Sequence, residues 1–378
     1  MLFLLWSLCG CGSSSSSSTP TSPHTPARVI ATIPVGISPN MVAVNPTTNR
    51  IYVVNSWNPA TVSVIDGATN SVITTVPVGA NVGGIAVNPV TNTIYVVPAG
   101  QSLTVIDGAT NNTTTVNLGI AVTPLAVNSV TNKIYMPNSA TQTVNVIDGA
   151  TYNVTTINAG LGRGSSGFAI NTVTNKIYVG DDVSNDVTVI DGQTNQTQTI
   201  SLVFGPGDFA INTVTNQIFL SEGGSWVDVI DGATFAITNS VDKNNPAGFI
   251  SGNIAVNATT NKVYVPHQLG SVAVVDVGTR NLVGVPVGQL PKSVTVDEQI
   301  NQIYVPDGWF SAAPATMLTV IDGATNSTTR LMVGAGPSDV ALNPVTHRVY
   351  VANFCGNDFN CNANGPAQGT VAVIEAAQ

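Results

Sequence analysis

The sequence predicts an all-β fold, a β-propeller of four-stranded antiparallel blades, on three observations. One hairpin signature, TVSVIDGATNSVITTVPVG at 61–79, returns as LTVIDGATNNTTTV from Leu103, VNVIDGATYNVTTI from Val144 and VTVIDGQTNQTQTI from Val187, then again from Val227, Val272 and Leu318. The aromatic of the strand before it falls at Tyr52, Tyr95, Tyr135, Tyr178, Phe219, Tyr264, Tyr304 and Tyr350, in steps of 40 to 46 residues. Short strands repeating with that period are the mark of propeller blades, and eight aromatics mean eight blades. Finally, only 8% of residues are charged while 43% are hydrophobic. Val, Ile and Thr abound, as strands require, and no stretch has an amphipathic helical period.

Within a repeat each element has its own reason. Val62, Val64 and Asp66 alternate with Ser63 and Ile65, the period of two that places successive side chains on opposite faces of a sheet. Gly67-Ala68-Thr69-Asn70 then breaks the strand, and Asp66 can hydrogen-bond the backbone two residues on, which favours a turn. The run 71–78 is again a strand. Upstream lies a second hairpin, VAVNPTTNRIYVVN at 42–55, echoed by IAVNPVTNTIYVV and LAVNSVTNKIYMPN, with a polar Asn- and Thr-rich turn. One repeat is therefore four strands, a to d.

The ends predict how the ring closes. The last copy, TVAVIEAAQ, supplies a strand c with no strand d after it, while VIATIPVG at 29–36 closely matches VITTVPVG at 72–79. The N-terminal segment is expected to complete the eighth blade, leaving no unpaired terminal edge to aggregate. An open solenoid would need polar capping repeats, and neither end reads as one.

The residues Ile51–Asn55, IYVVN, followed by TVSVIDGATN and VITTVPVG, resemble the YVTN-type β-propeller repeat, named for a Tyr-Val-Thr-Asn in strand b. The nearest match is Tyr52-Val53-Val54-Asn55, and the resemblance extends from Arg28 to Gln378. It implies a propeller, although members of that family are mostly seven-bladed. The family includes surface-layer-associated and periplasmic proteins, largely without assigned chemistry, so the resemblance speaks to fold more than to activity.

Three regions are expected. Residues 1–11, MLFLLWSLCGC, read as an export signal or a lipoprotein signal, too short to span a bilayer. Leu8-Cys9-Gly10-Cys11 resembles a bacterial lipobox with Cys11 as the lipidated residue, although no basic residue precedes the apolar run. An ordinary cleaved signal is the alternative. Residues 12–27 are a Ser-, Pro- and Thr-rich linker, unable to bury enough apolar surface to fold. Residues 28–378 form the propeller. The expected location is the bacterial cell envelope, periplasmic or on the outer surface, with the membrane reached only through the lipid.

Function is less legible. The formal charge of −9 argues against non-specific nucleic-acid binding. Cys355 and Cys361, in the last repeat's insertion, are expected to form a local disulfide in an exported protein. Propeller geometry puts a–b and c–d turns on one face, and b–c loops with d–a crossings on the other. The first set is monotonous. Asp66, Asp107, Asp148, Asp191, Asp231, Asp276 and Asp322 recur there, with Arg50, Lys133, Lys176, Lys262 and Arg348 after the a–b turns, a pattern of turn geometry and charge pairing. The second set varies. It gathers Trp57, Trp226, Trp309 and Phe310 with Asp181, Asp182, Glu222, His267 and Asp307, the expected ligand-binding residues. Variable loops on a rigid scaffold often carry sites, and tryptophans bury area at little entropic cost; packing between blades is the competing role.

The expected activity is binding or scaffolding, with a protein, glycan or peptide as partner. The alternatives are a hydrolase or lyase centred on His267 with Asp307 and Glu222, and a passive cell-surface structural protein. Of the three histidines only His267 is placed for catalysis, no GxSxG elbow is present, and a multi-histidine metal or haem site is excluded. No cofactor is expected. Calcium is a candidate ligand at Asp181-Asp182, or at Asn357-Asp358 with Asn360.

Overall fold

A computed structural model describes residues 26–98, 102–118, 125–138, 140–161, 165–222, 226–241, 249–250, 252–308, 315–359, 361 and 367–377. They form eight four-stranded antiparallel sheets, each composed of four sequential strands except the last. Blade 1 is Pro39–Asn45, Arg50–Asn55, Ala60–Asp66 and Ser71–Gly79, from axis to rim. Blade 8 orders Ala335–Asn343, Arg348–Gly356 and Gln368–Glu375, and takes its outer strand from Arg28–Ile37. Thus the N-terminal strand closes the ring. It pairs Arg28 with Glu375 and Ile33 with Val371, and an Arg28–Glu375 ion pair of 2.7 Å marks its start. The innermost strand of blade 8 contacts that of blade 1, completing the circle.

The core is divided among the junctions. Eight apolar clusters each join one blade to the next, the closing one uniting Ile33, Val35, Tyr350 and Val371 with Val42, Ile51, Val53 and Ile65. Every blade is consequently sandwiched, and its strands b and c are buried on both faces: Val62, Ser63, Val64 and Ile65 are all hidden. Alternation in the sequence therefore marks which neighbour a side chain meets, not core against solvent. The tyrosines of strand b lie at the centre of this packing, fully buried, and burial pushes the phenol of Tyr52, for example, up to about 12.

A polar ring ties the blades together at the a–b face. The Asn ending the inner strand of every blade but the seventh folds its own turn, as when Asn88 Oδ1 accepts from Val90 N and Thr91 N. Its amide then donates to an Asn in the next blade's a–b turn: Asn45 to Asn92, Asn88 to Asn132, Asn128 to Asn175, Asn171 to Asn216, Asn212 to Asn261, Asn257 to Asn301 and Asn343 to Asn49, at 2.8–3.0 Å. Each accepting Asn has φ between 51° and 55°, a left-handed conformation that Asn tolerates better than most residues. The turn sequence N-x-x-x-N thus serves both its own fold and the junction.

Candidate functional site

The a–b/c–d face is accounted for by structure. Asp66 Oδ1 accepts from Ala68 N and Thr69 N, and Asp107, Asp148, Asp191, Asp231 and Asp322 make the same turn. The following glycine is needed because a Cβ on Gly67, Gly108 or Gly149 would collide with Asn49, Asn92 or Asn132. The cations pair locally or reach onward: Arg50 to Asp66 at 2.5 Å, Lys176 to Asp191 at 2.7 Å, and Lys133, Lys262 and Arg348 to carbonyls of the next blade.

On the b–c face, the residues singled out in the sequence turn out to share a repeat position. Asp181, Glu222, His267 and Asp307 each stand three residues after the strand-b aromatic, where blades 1, 3 and 8 have Asn55, Asn138 and Asn353. All seven are buried. Counting from the aromatic would have found this equivalence. The position caps the b–c connection. Asn55 Nδ2 donates to Thr61 and Ser63, Asn138 Oδ1 accepts from Ala140 N at 2.9 Å, and Asp181 Oδ1 accepts from Val183 N at 3.0 Å and Ser184 N at 3.2 Å.

His267, Glu222 and Asp307 therefore sit on three adjacent blades, each engaged within its own surroundings. His267 ends the strand Lys262–His267, opposite Ser271, and bridges to Ile250. Asp307 forms an ion pair with Arg330; burial pushes its carboxyl up, while the Arg330 guanidinium pulls the other way. Glu222 is the most elaborated. It accepts from Trp226 Nε1 at 3.0 Å and from Phe204 N, and hydrogen-bonds the Asp228 side chain. Burial opposes its ionisation, but these donors together hold the carboxyl below its ordinary range. Asp228 in turn accepts from Ser240 Oγ at 2.5 Å.

Trp57 is exposed, at 42% of its surface, beside the b–c connection of blade 1, and Asp182 is exposed on that of blade 4. Trp226 is half-buried and meets Phe204 edge to face, with ring centroids 5.0 Å apart. Phe204, on the crossing from blade 4 to blade 5, was not singled out by sequence; SLVFGPGD carries no motif, and only the fold brings it to Trp226. Trp309 and Phe310 lie outside the described residues, as does Asn360. Cys355 and Cys361 form the expected disulfide, Cα atoms 6.0 Å apart, with Cys355 packed against Ala335 and Ala367. Among the described residues no group of three or more His, Cys, Asp or Glu side chains is placed to hold a metal ion, and no helix is long and apolar enough to cross a membrane.

The fold defines the class: an eight-bladed β-propeller closed by its N-terminal strand. No protein-family profile matches the chain, and no curated protein matches it at a significant level.

Proposed function

We propose that this propeller, of the YVTN type, is an exported binding or scaffolding module, anchored to the cell envelope through a lipid on Cys11. Its b–c face takes a protein, glycan or peptide. The observation that carries the reading is the segregation of side chains. The charged residues of the a–b/c–d face are engaged in turns and junctions, with only repeated valines exposed at the a–b tips, whereas the exposed aromatics Trp57 and Phe204, the latter against Trp226, lie with Asp182 on the opposite face. Chain direction supports it. Arg28 is level with Glu375 and Arg348, at the a–b/c–d end of blade 8, so the propeller's first strand begins at that face, opposite the b–c loops. Such an arrangement presents variable loops outward on a rigid disc.

Two experiments test the halves separately. Cys11→Ser in the full-length gene is expected to move the protein from the membrane fraction to the soluble one; an unchanged distribution contradicts the anchor. Titration of the full chain with oligosaccharides, peptides and calcium is expected to give one saturating ligand class whose binding falls at least tenfold in Trp57→Ala or Trp226→Ala. Binding that is unchanged in both variants contradicts the assignment of the face.

A further inference from the structure

Charge is distributed around the ring in a way that the total conceals. Blades 4 and 5, residues 165–241, contain eight Asp and Glu residues and a single cation, Lys176, which pairs with Asp191 on the a–b/c–d face. The rest of the chain has twelve acidic and ten basic residues, so most of the formal charge of −9, a net −7, belongs to these two blades. Net charge concentrated in one sector creates a field that attracts ligands of opposite sign.

The same sector holds an aromatic shelf. The hairpin turn of blade 4 presents exposed Asp182 and Val183, with Asp186 facing Asp181 across the strands. The crossing to blade 5 lies on it: Leu202 N donates to Asn185 O at 2.9 Å, and a Cβ on Gly205 would stand 3.2 Å from Asp182. From that crossing Val203 and Phe204 project into solvent, 69% and 46% exposed, and Phe204 abuts Trp226 of blade 5. Buried Glu222 fixes both ends of the aromatic pair, through Trp226 Nε1 and Phe204 N. An exposed Phe204 and a half-buried Trp226, pinned from below in an acidic sector, suit a cation, whose charge is attracted by the rings and by neighbouring carboxylates.

Resting on the b–c face being the binding face, we infer that the shelf of Val203, Phe204 and Trp226, edged by Asp182, docks a Lys- or Arg-bearing peptide segment. Glu222 is a positioning residue: it holds the indole and the crossing in place and does not touch the ligand. A glycan would exploit the rings but gains nothing from an excess of carboxylates.

The test is titration of the full chain with hexa-arginine, with hexaglutamate and chitotetraose as comparison probes, followed by tryptophan fluorescence. Hexa-arginine is expected to bind, to bind more weakly as salt is raised, and to lose tenfold or more in Phe204→Ala and in Asp182→Asn. Both substitutions are at exposed positions and leave the core intact. Glu222→Gln, which keeps an acceptor for the indole, is expected to retain more affinity than Glu222→Ala. Absence of hexa-arginine binding, or binding indifferent to both exposed-site variants, overturns the inference. So does chitotetraose binding that Phe204→Ala abolishes while hexa-arginine does not bind. Hexa-arginine binding lost only in Trp57→Ala would overturn the shelf and keep the b–c face. Binding that ignores Trp57, Phe204 and Trp226 alike would overturn both.

Discussion

His347 Nδ1 lies 2.7 Å from Asp297 Oδ2, and this pair stands where an Asn–Asn hydrogen bond stands at the seven other blade junctions. His347 even keeps the left-handed backbone, φ 54°, of the asparagines it replaces. The histidine at this turn is thus explained by architecture. Asp297→Asn combined with His347→Asn recreates the common pair, and the urea midpoint is expected to correspond to a stability within about 1 kcal/mol of the parent. Asp297→Ala removes a buried acceptor that also holds Gln299 N, and is expected to cost about 1–3 kcal/mol.

The IDG glycines make a second prediction. Their N–H groups reach the a–b turn carbonyl at 2.8–2.9 Å in six blades, but Val277, which replaces glycine in blade 6, manages 3.2 Å from Asn261 O. A Cβ on Gly149 would meet both the side chain and the backbone oxygen of Asn132. Gly149→Ala is expected to lower stability by about 1–3 kcal/mol, read as a drop in unfolding midpoint, with Ala150→Gly as a surface control of much smaller effect.

Asp339 predicts a pH dependence of definite sign. Burial pushes its carboxyl up to about 6, against the pull of the Val42 and Val340 N–H donors. Since the folded state holds this proton more tightly than the unfolded one, the group favours folding below about pH 4, and that contribution is lost as pH rises through about 6. The loss is of the order of 3 kcal/mol at most. In blade 6 the equivalent residue is Asn253, whose Oδ1 accepts from Val294 N at 2.9 Å. Asp339→Asn is therefore expected to stabilise the protein at pH 7 and to flatten its stability between pH 4 and 6; a destabilised variant at pH 7 contradicts this. The turn carboxylates act oppositely. Asp107, with its carboxyl lowered by the Thr110 and Ala109 N–H groups, stabilises above about pH 4 and ceases to as pH falls through its depressed folded value.

The disulfide is local, and its removal is expected to be local. Closing so short a loop stabilises by about 2 kcal/mol in the chain-entropy account. Cys355→Ala with Cys361→Ala is expected to raise hydrogen exchange in the last repeat's b–c connection while leaving the Arg28–Glu375 pairing protected. Exchange spreading to the strand Arg28–Ile37 would show that the staple supports ring closure.

Blade number, strand order and ring closure were legible because they rest on periodicity: the aromatic spacing gave eight blades, and the likeness of 29–36 to 72–79 gave the missing strand. The turns were legible for the same reason, since Asp66 and Gly67 act within a few residues of themselves. What escaped is what depends on neighbours from other blades. The Asn ring joins residues 44 to 49 positions apart, and 294 apart for Asn343 and Asn49. The shared position of Asp181, Glu222, His267 and Asp307 was hidden because their chemistry differs while their register does not. The exposed Val90, Val130, Val173, Val214 and Val345, all at a–b turn tips, were also passed over within a repeat that looked purely structural.

The claim most in need of a direct test is that the b–c face is the binding face. Tryptophan fluorescence of the full chain, with iodide as quencher, can be followed while oligosaccharides, peptides and calcium are titrated in turn. Iodide is expected to quench part of the emission at the start, through Trp57 and the half-buried Trp226, and to lose access at one of them as one ligand class saturates. Saturable binding that leaves iodide quenching unchanged, together with loss of that binding on changing the valines of the a–b tips, would place the site on the opposite face and contradict the account.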